Sequence, residues 1–300
     1  MINYRPAQHQ GICVRTLFFC LLLVSPLLSA KPLLVASIEP LSLALREIYG
    51  DAVTVETLML PQQTPHQAAF TPGQARQVQQ ADLLVWLGPA SEPALAGLVS
   101  RRRGARLALE QVDGIVRLAA SGEDTHAGHG HDALADDPHL WLSPPNMVRL
   151  ADALMQVSPA APQSHRDDFV ATLETTATSI EERLAGFHDV PWLSAHDPWR
   201  YFHQHFGLRQ PAIISPGASS GASARRFARL AETMAAQQVH CAIAEPEAGR
   251  ALMERLCRAP DCHIEALDPL ARDGHYRSYT QFLARLGEGF ARCLDSSRPR

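Results

Sequence analysis

The stretch LLVASIEPLSLALREIYGDAVTVETLM, Leu33 to Met59, decides the fold. Short runs rich in Leu, Val and Ile at 33–38 and 53–59 read as strands, and the segment between them, 40–49, reads as a helix. Strand, helix, strand is the unit from which parallel sheets are built, because parallel neighbours need a crossover connection. Outward from this unit, 82–87 is an apolar strand preceded by a helix that starts near Pro72, and 105–109 is a fourth strand. Strands alternating with helices imply a parallel sheet covered on both faces.

The segment 121–137, rich in Gly, His and acidic residues, has no apolar periodicity and reads as a loop. A helix should begin near Pro144, and a longer one should run over 161–188. In that longer helix Phe169, Leu173, Ile180, Leu184 and Phe187 keep to one face. At about 1.5 Å per residue it would reach roughly 40 Å, the length of one domain and beyond. Then the alternation restarts, with strands at 192–196, 212–214, 241–244 and 263–267. Helices at 199–206, 223–238, 246–258 and 279–294 separate and close them. The expected architecture is α/β: two lobes, each a parallel sheet flanked by helices, joined by one long rigid helix. Its parts are an N-terminal lobe at 31–160, the connecting helix at 161–188 and a C-terminal lobe at 189–300. A cleft between the lobes is the default ligand site.

The 300 residues are 46% apolar with a formal charge of −4, and Lys31 is the only lysine, which argues against a surface that grips nucleic acid. The long apolar run at 16–28 is about 13 residues, too short for a spanning helix of roughly 20. Arg5 and Arg15 precede it and Ser29 and Ala30 follow it, the layout of a secretory signal cleaved after Ala30. Phe18 and Phe19 beside Cys20 lack the small residues of a lipid-attachment signal, so no membrane anchor is expected. The exported chain keeps Cys241, Cys257, Cys262 and Cys293, an even number in a compartment that permits disulfides. Four cysteines allow three pairings, and a zinc cluster is the weaker alternative.

Of 14 histidines, only His9 lies in the leader. His126, His129 and His131 sit in the acidic loop, whereas His66, His139 and His196 each stand where a strand or helix gives way to a connection, the places from which parallel sheets present ligands. His-Glu-x-x-His and phosphate-loop signatures are missing. Gly217 to Gly221 spells Gly-x-Ser-x-Gly around Ser219, a pattern short enough to be a plain flexible turn.

The segment TPHQAAFTPGQARQVQQADLLVWLG, Thr64 to Gly88, resembles the first metal-ligand region of the solute-binding proteins that feed zinc and manganese to ABC importers. DPHLWLSPPN, Asp137 to Asn146, is similar to their second ligand motif, and AHDPWRYFHQHFGL, Ala195 to Leu208, to their third. AEPE at Ala244 to Glu247 and LDPL at Leu267 to Leu270 are similar to their C-terminal signature. The resemblance covers nearly the whole exported chain in order. It implies a non-enzymatic periplasmic receptor that captures Zn²⁺ and delivers it to a membrane permease. The implied ligands are His66, His139 and His196, with Asp268 or water completing the set. Zinc members carry His at the third position where manganese members tend to carry Glu, and imidazole suits Zn²⁺. A manganese or iron receptor of the same architecture is the alternative, and a hydrolase built on the histidines or Ser219 a remote one.

Two departures bear on the site. Pro65 stands where some zinc members have an acid, and residues 214–221 depart from the usual Asn-Pro-Glu and Pro-Gly-Ala pattern. The resemblance also implies a Cys241–Cys293 bond, leaving Cys257 with Cys262, and a His-rich loop whose His126, His129 and His131 hold auxiliary zinc weakly. Glu245 is a candidate hydrogen-bond partner for a ligand imidazole. Among the remaining residues, Arg101 to Arg103 read as a solvated helix end and Trp86, Trp141 and Trp192 as core or cleft wall, while at most one of His203 and His205 should face the cleft. No second copy of the chain is required, and a monomer is expected.

Overall fold

The computed structural model describes residues 1, 30–63, 69–119, 136–158, 163–214, 224–246, 250–257 and 262–297. Contacts divide the chain into Met1–Lys31 and Pro32–Arg300, and all the secondary structure described lies in the second. Strands β1 (Leu33–Ala36), β2 (Thr54–Thr57), β3 (Leu83–Trp86) and β4 (Ala105–Ala108) form one parallel sheet in the order β2-β1-β3-β4. A second parallel sheet, from β5 (Trp192–Ser194), β6 (Ala212–Ile213), β7 (Cys241–Ala244) and β8 (His263–Ala266), has the order β6-β5-β7-β8. The two orders are equivalent, although the sequences of the halves show no repeat.

Local chemistry sets the helix starts. In α1 (Glu39–Tyr49) Pro40 occupies the first turn, where its missing N–H costs nothing. The start of α2 (Pro72–Gln80) is a capping box: Thr71 accepts from the Gln74 amide while the Gln74 side chain returns to the Thr71 amide. Ser143 caps α4 (Pro144–Val157) by accepting from the Asn146 amide, and Ser278 caps α9 (Tyr279–Asp295) by accepting from the Gln281 amide. Helix α3 (Pro93–Val99), which the alternation did not reveal, buries only Leu95 and Val99.

The long helix α5 spans Gln163–Leu184, about 33 Å, and ends before the expected 188; residues 161–162 lie outside the described residues. Phe169, Leu173, Ile180 and Leu184 are its buried stripe, and Phe187 is buried just beyond its end, where the Phe187 amide bonds back to the Leu184 carbonyl. Helix α9 packs along it, and α1 touches both. A Cβ on Gly287 would come within 2.7 Å of Ile180, so glycine permits the close approach of α9 to α5.

Period-2 alternation then decides which side of each strand faces this layer. Leu34, Ala36 and Val85 from the first sheet join Trp192, Cys241 and Ile243 from the second in one apolar cluster with the helices. The intervening residues face outward into separate cores: Val35, Leu84 and Trp86 with Val78, Leu95 and Val99, and Leu193, Ala242 and Ala244 with Leu230, Met234 and Met253. Between the last strands come α6 (Arg200–His205), α7 (Ala224–Gln237) and α8 (Arg250–Leu256), inside the ranges read from sequence.

Both disulfides are present with the expected pairing. Cys241–Cys293 ties β7 to α9 with Cα atoms 5.1 Å apart, and Cys257–Cys262 closes a short loop between α8 and β8. One expectation is corrected. Arg102 is not part of a solvated helix end: it is 3% exposed, and its guanidinium donates to the carbonyls of Val78, Ala81 and Ala105. Those carbonyls lie at the end of α2 and the start of β4 and need donors, which explains why this cation is buried. Trp86, Trp141 and Trp192 are buried as anticipated. No described helix is long and apolar enough to cross a membrane.

Candidate metal centre

The side chains in question leave the C-terminal ends of strands. His196 follows β5 by two residues, Glu245 directly follows β7, and Asp268 follows β8. Strands β5 and β7 are neighbours, in register at Ser194 and Ile243, and the chain order reverses between them. Such a switch point opens a crevice at the strand ends.

His196 places Nδ1 2.9 Å from Glu245 Oε1, a close contact that lies off hydrogen-bond geometry, and both side chains are buried. His139 stands at the head of a short 3₁₀ turn, Leu140–Leu142. Its Nδ1 lies 2.8 Å from Asp137 Oδ1, and the same oxygen accepts from the His139 amide at 2.9 Å. One carboxylate thus fixes both backbone and ring. The two rings lie with centroids 6.0 Å apart and planes inclined by 51°. The hydrogen bond between Nδ1 of His139 and the Asp137 carboxylate fixes the ring's tautomer, with the lone pair on Nε2, and raises the basicity of that nitrogen.

The supports around this pair are hydrogen-bonded across the fold. Tyr201 donates to the Asp137 carbonyl at 3.2 Å and accepts from the Leu118 amide at 3.0 Å. Trp141, with its ring centroid 5.2 Å from that of His139, donates Nε1 to the Pro269 carbonyl at 2.7 Å, and Tyr279 donates to the Trp141 carbonyl at 2.6 Å. The His139 turn is therefore stitched to the loop that carries Asp268.

Asp268 itself is heavily engaged. Its Oδ1 accepts from the Leu270 amide at 3.0 Å and from Arg272 Nη2 at 2.7 Å, and its Oδ2 accepts from the Arg272 amide at 2.8 Å and from Arg272 Nε at 2.9 Å. Burial pushes the Asp268 carboxyl up to about 6 against those amide bonds, with the charges of Asp273 and Glu245 adding to the rise. Burial also lowers Arg272 from its ordinary value, opposed by the charge of Glu245.

His66 and the loop residues His126, His129 and His131 lie outside the described residues, as does Ser219. Of the acidic loop, Asp136 pairs with Ala119 in an isolated bridge and Asp137 orients His139. Among the described residues no three His, Cys, Asp or Glu side chains are grouped to hold a metal ion. His139 and His196 come together, while Asp268 is held by Arg272. His203 is turned to Asp197 at 3.2 Å and packs edge-on to Trp192, and His205 packs edge-on to Phe206. Sequence reasoning missed the roles of Asp137 and Arg272. The Asp-Pro-His spacing could have shown the first, since an aspartate commonly bonds the backbone two residues on. The second has only a weak signal, an Asp and an Arg four apart.

Two like-ordered parallel sheets, with the long helix α5 between them in sequence, thus set an imidazole and a carboxylate against each other at adjacent strand ends. The chain belongs to the family described as ZnuA, zinc-uptake complex component A periplasmic, which it matches over residues 34–293. It is 25% identical to the high-affinity zinc uptake system protein ZnuA of Yersinia pestis, over 91% of this chain and 95% of that protein. In three dimensions it is similar to a crystal structure of ZnuA, with a TM-score of 0.72 and 21% identity over 88% of this chain and 99% of that one. The solute-binding protein FpvC from Pseudomonas aeruginosa, solved in complex with Mn²⁺, shares the fold with a TM-score of 0.73 and 17% identity, covering 89% and 100% of the two chains.

Proposed function

We propose that this chain captures Zn²⁺ in the periplasm and delivers it to the membrane permease of an ABC importer. The ion is held by His66, His139 and His196, with Asp268 or water completing the set. The observation that carries this reading is the convergence of His139 and His196, each with Nδ1 facing a buried carboxylate. Neutral imidazoles so oriented are the donors a borderline ion such as Zn²⁺ prefers. The chain does no chemistry on its cargo.

The apolar run at 16–28 and the division of contacts at Lys31 support export with cleavage after Ala30. The lobes 31–160 and 189–300, with 161–188 between them, work as one stiff body, because a single apolar cluster runs through both sheets and α5. Small loop movements rather than wide hinge closure then load and unload the ion. His126, His129 and His131 gather zinc weakly and exchangeably, as an auxiliary to the three-histidine site. A manganese receptor is the second reading, favoured by the Mn²⁺ complex of a protein with this fold and by the carboxylate of Asp268.

Uptake of radioactive zinc by cells lacking the gene, complemented with the parent or with His139→Ala/His196→Ala, tests the proposal. The parent should restore uptake at scarce zinc and the double variant should not. Equal restoration by both would refute it.

A further inference from the structure

We propose that Arg272 sets which metals the site accepts, by withholding the Asp268 carboxylate from the ion. The inference rests on the zinc-site reading above and goes beyond it to the basis of selectivity. Both oxygens of Asp268 are taken: Nε and Nη2 of Arg272 form a fork on them, and the Arg272 and Leu270 amides complete the cradle. Ala271, at φ 53°, turns the chain back so that the backbone and the side chain of Arg272 meet the same carboxylate. The side chains are 10% and 7% exposed, so water does little to loosen them. Bidentate guanidinium–carboxylate pairs of this kind are stronger and more directional than a lysine contact.

The pair is tied to the elements that carry the imidazoles. Trp141 links the His139 turn to Pro269, and the charge of Glu245, which faces His196, acts on both Asp268 and Arg272. An ion that needs Asp268 must therefore break the fork. Zn²⁺ completes a tetrahedron with three imidazoles and water, whereas Mn²⁺ favours oxygen ligands and a larger shell. Arg272 accordingly penalises the harder ion. A cavity of about 320 Å³ lined by Thr57, Met59, Gln63, Leu270, Arg272 and Gly274 gives the guanidinium room to withdraw when the fork opens.

The test is competition titration of Zn²⁺ and Mn²⁺ against chelators on the full exported chain and its variants, with the visible spectrum of bound Co²⁺ reporting coordination number. In Arg272→Gln the Mn²⁺ affinity should rise at least about tenfold while that for Zn²⁺ stays within about threefold. Asp268→Asn added to Arg272→Gln should cancel the gain. Arg272→Lys, which keeps the charge without the fork, should give a smaller rise of the same sign. A loss of zinc affinity of about tenfold or more in Asp268→Asn would overturn the proposal, as would no rise for Mn²⁺ in either arginine variant. Full zinc retention by His139→Ala would instead overturn the site on which the proposal rests.

Discussion

His196 and Glu245 meet at 2.9 Å across the ends of two adjacent parallel strands, β5 and β7. The carboxyl group is buried with the ring, so little water screens one from the other. Glu245→Gln keeps the shape and removes the charge. It should weaken zinc binding by about tenfold to a hundredfold, with the thermal midpoint of the metal-free chain little changed. Isothermal titration and a melting curve check both parts, and unchanged affinity would deny Glu245 this role.

Glu92 supplies a pH dependence that is separate from the metal site. Burial holds its carboxyl at about 8, and the charge of Glu110 adds to the rise, against the hydrogen bond from the Leu87 amide. In the unfolded chain the group ionises near 4.5. Between these values the folded chain holds a proton that the unfolded chain has lost. The stabilisation is complete below about 4.5, falls by about 1.4 kcal/mol per pH unit as pH rises, and is gone above about 8. Glu92→Gln should flatten this slope in urea melts of the metal-free chain; parallel pH profiles for variant and parent would contradict it.

The two disulfides should contribute unequally. Cys241–Cys293 links residues 52 apart in sequence, and Cys257–Cys262 links residues 5 apart. Loop-closure entropy gives about 4 kcal/mol for the first and about 2 kcal/mol for the second. Paired Cys→Ala variants compared by denaturant unfolding should show that ranking, and an equal loss would point to strain or packing instead of chain entropy.

Gly287→Val places a side chain against Ile180, where even a Cβ would lie at 2.7 Å. Separating α5 from α9 should cost about 1–3 kcal/mol by denaturant unfolding, and Ile180→Ala in the same background should recover part of it. A variant as stable as the parent would mean that the helices can part without loss.

Where hydrophobic pattern alone decides, the chain was legible. The β1-α1-β2 unit, the apolar β3 and the stripe Phe169, Leu173, Ile180 and Leu184 follow from periodicities that tertiary packing merely completes. Helix α3 was not legible, because PALAGLV offers a single turn of apolar spacing after a proline. The site divided similarly. The approach of His139 to His196, with Glu245 against the second ring, was anticipated from the motif resemblance. The burial of Arg102 and the capture of Asp268 by Arg272 depend on which carbonyls and carboxylates lack partners in three dimensions. A one-dimensional pattern does not carry that information.

Zinc-edge X-ray absorption of the loaded, exported chain tests the central claim most directly. Three imidazole nitrogens and one light oxygen at about 2.0–2.1 Å are predicted, with one imidazole lost in each of His66→Ala, His139→Ala and His196→Ala. A sulfur scatterer near 2.3 Å, or a spectrum unaltered by those substitutions, would contradict it.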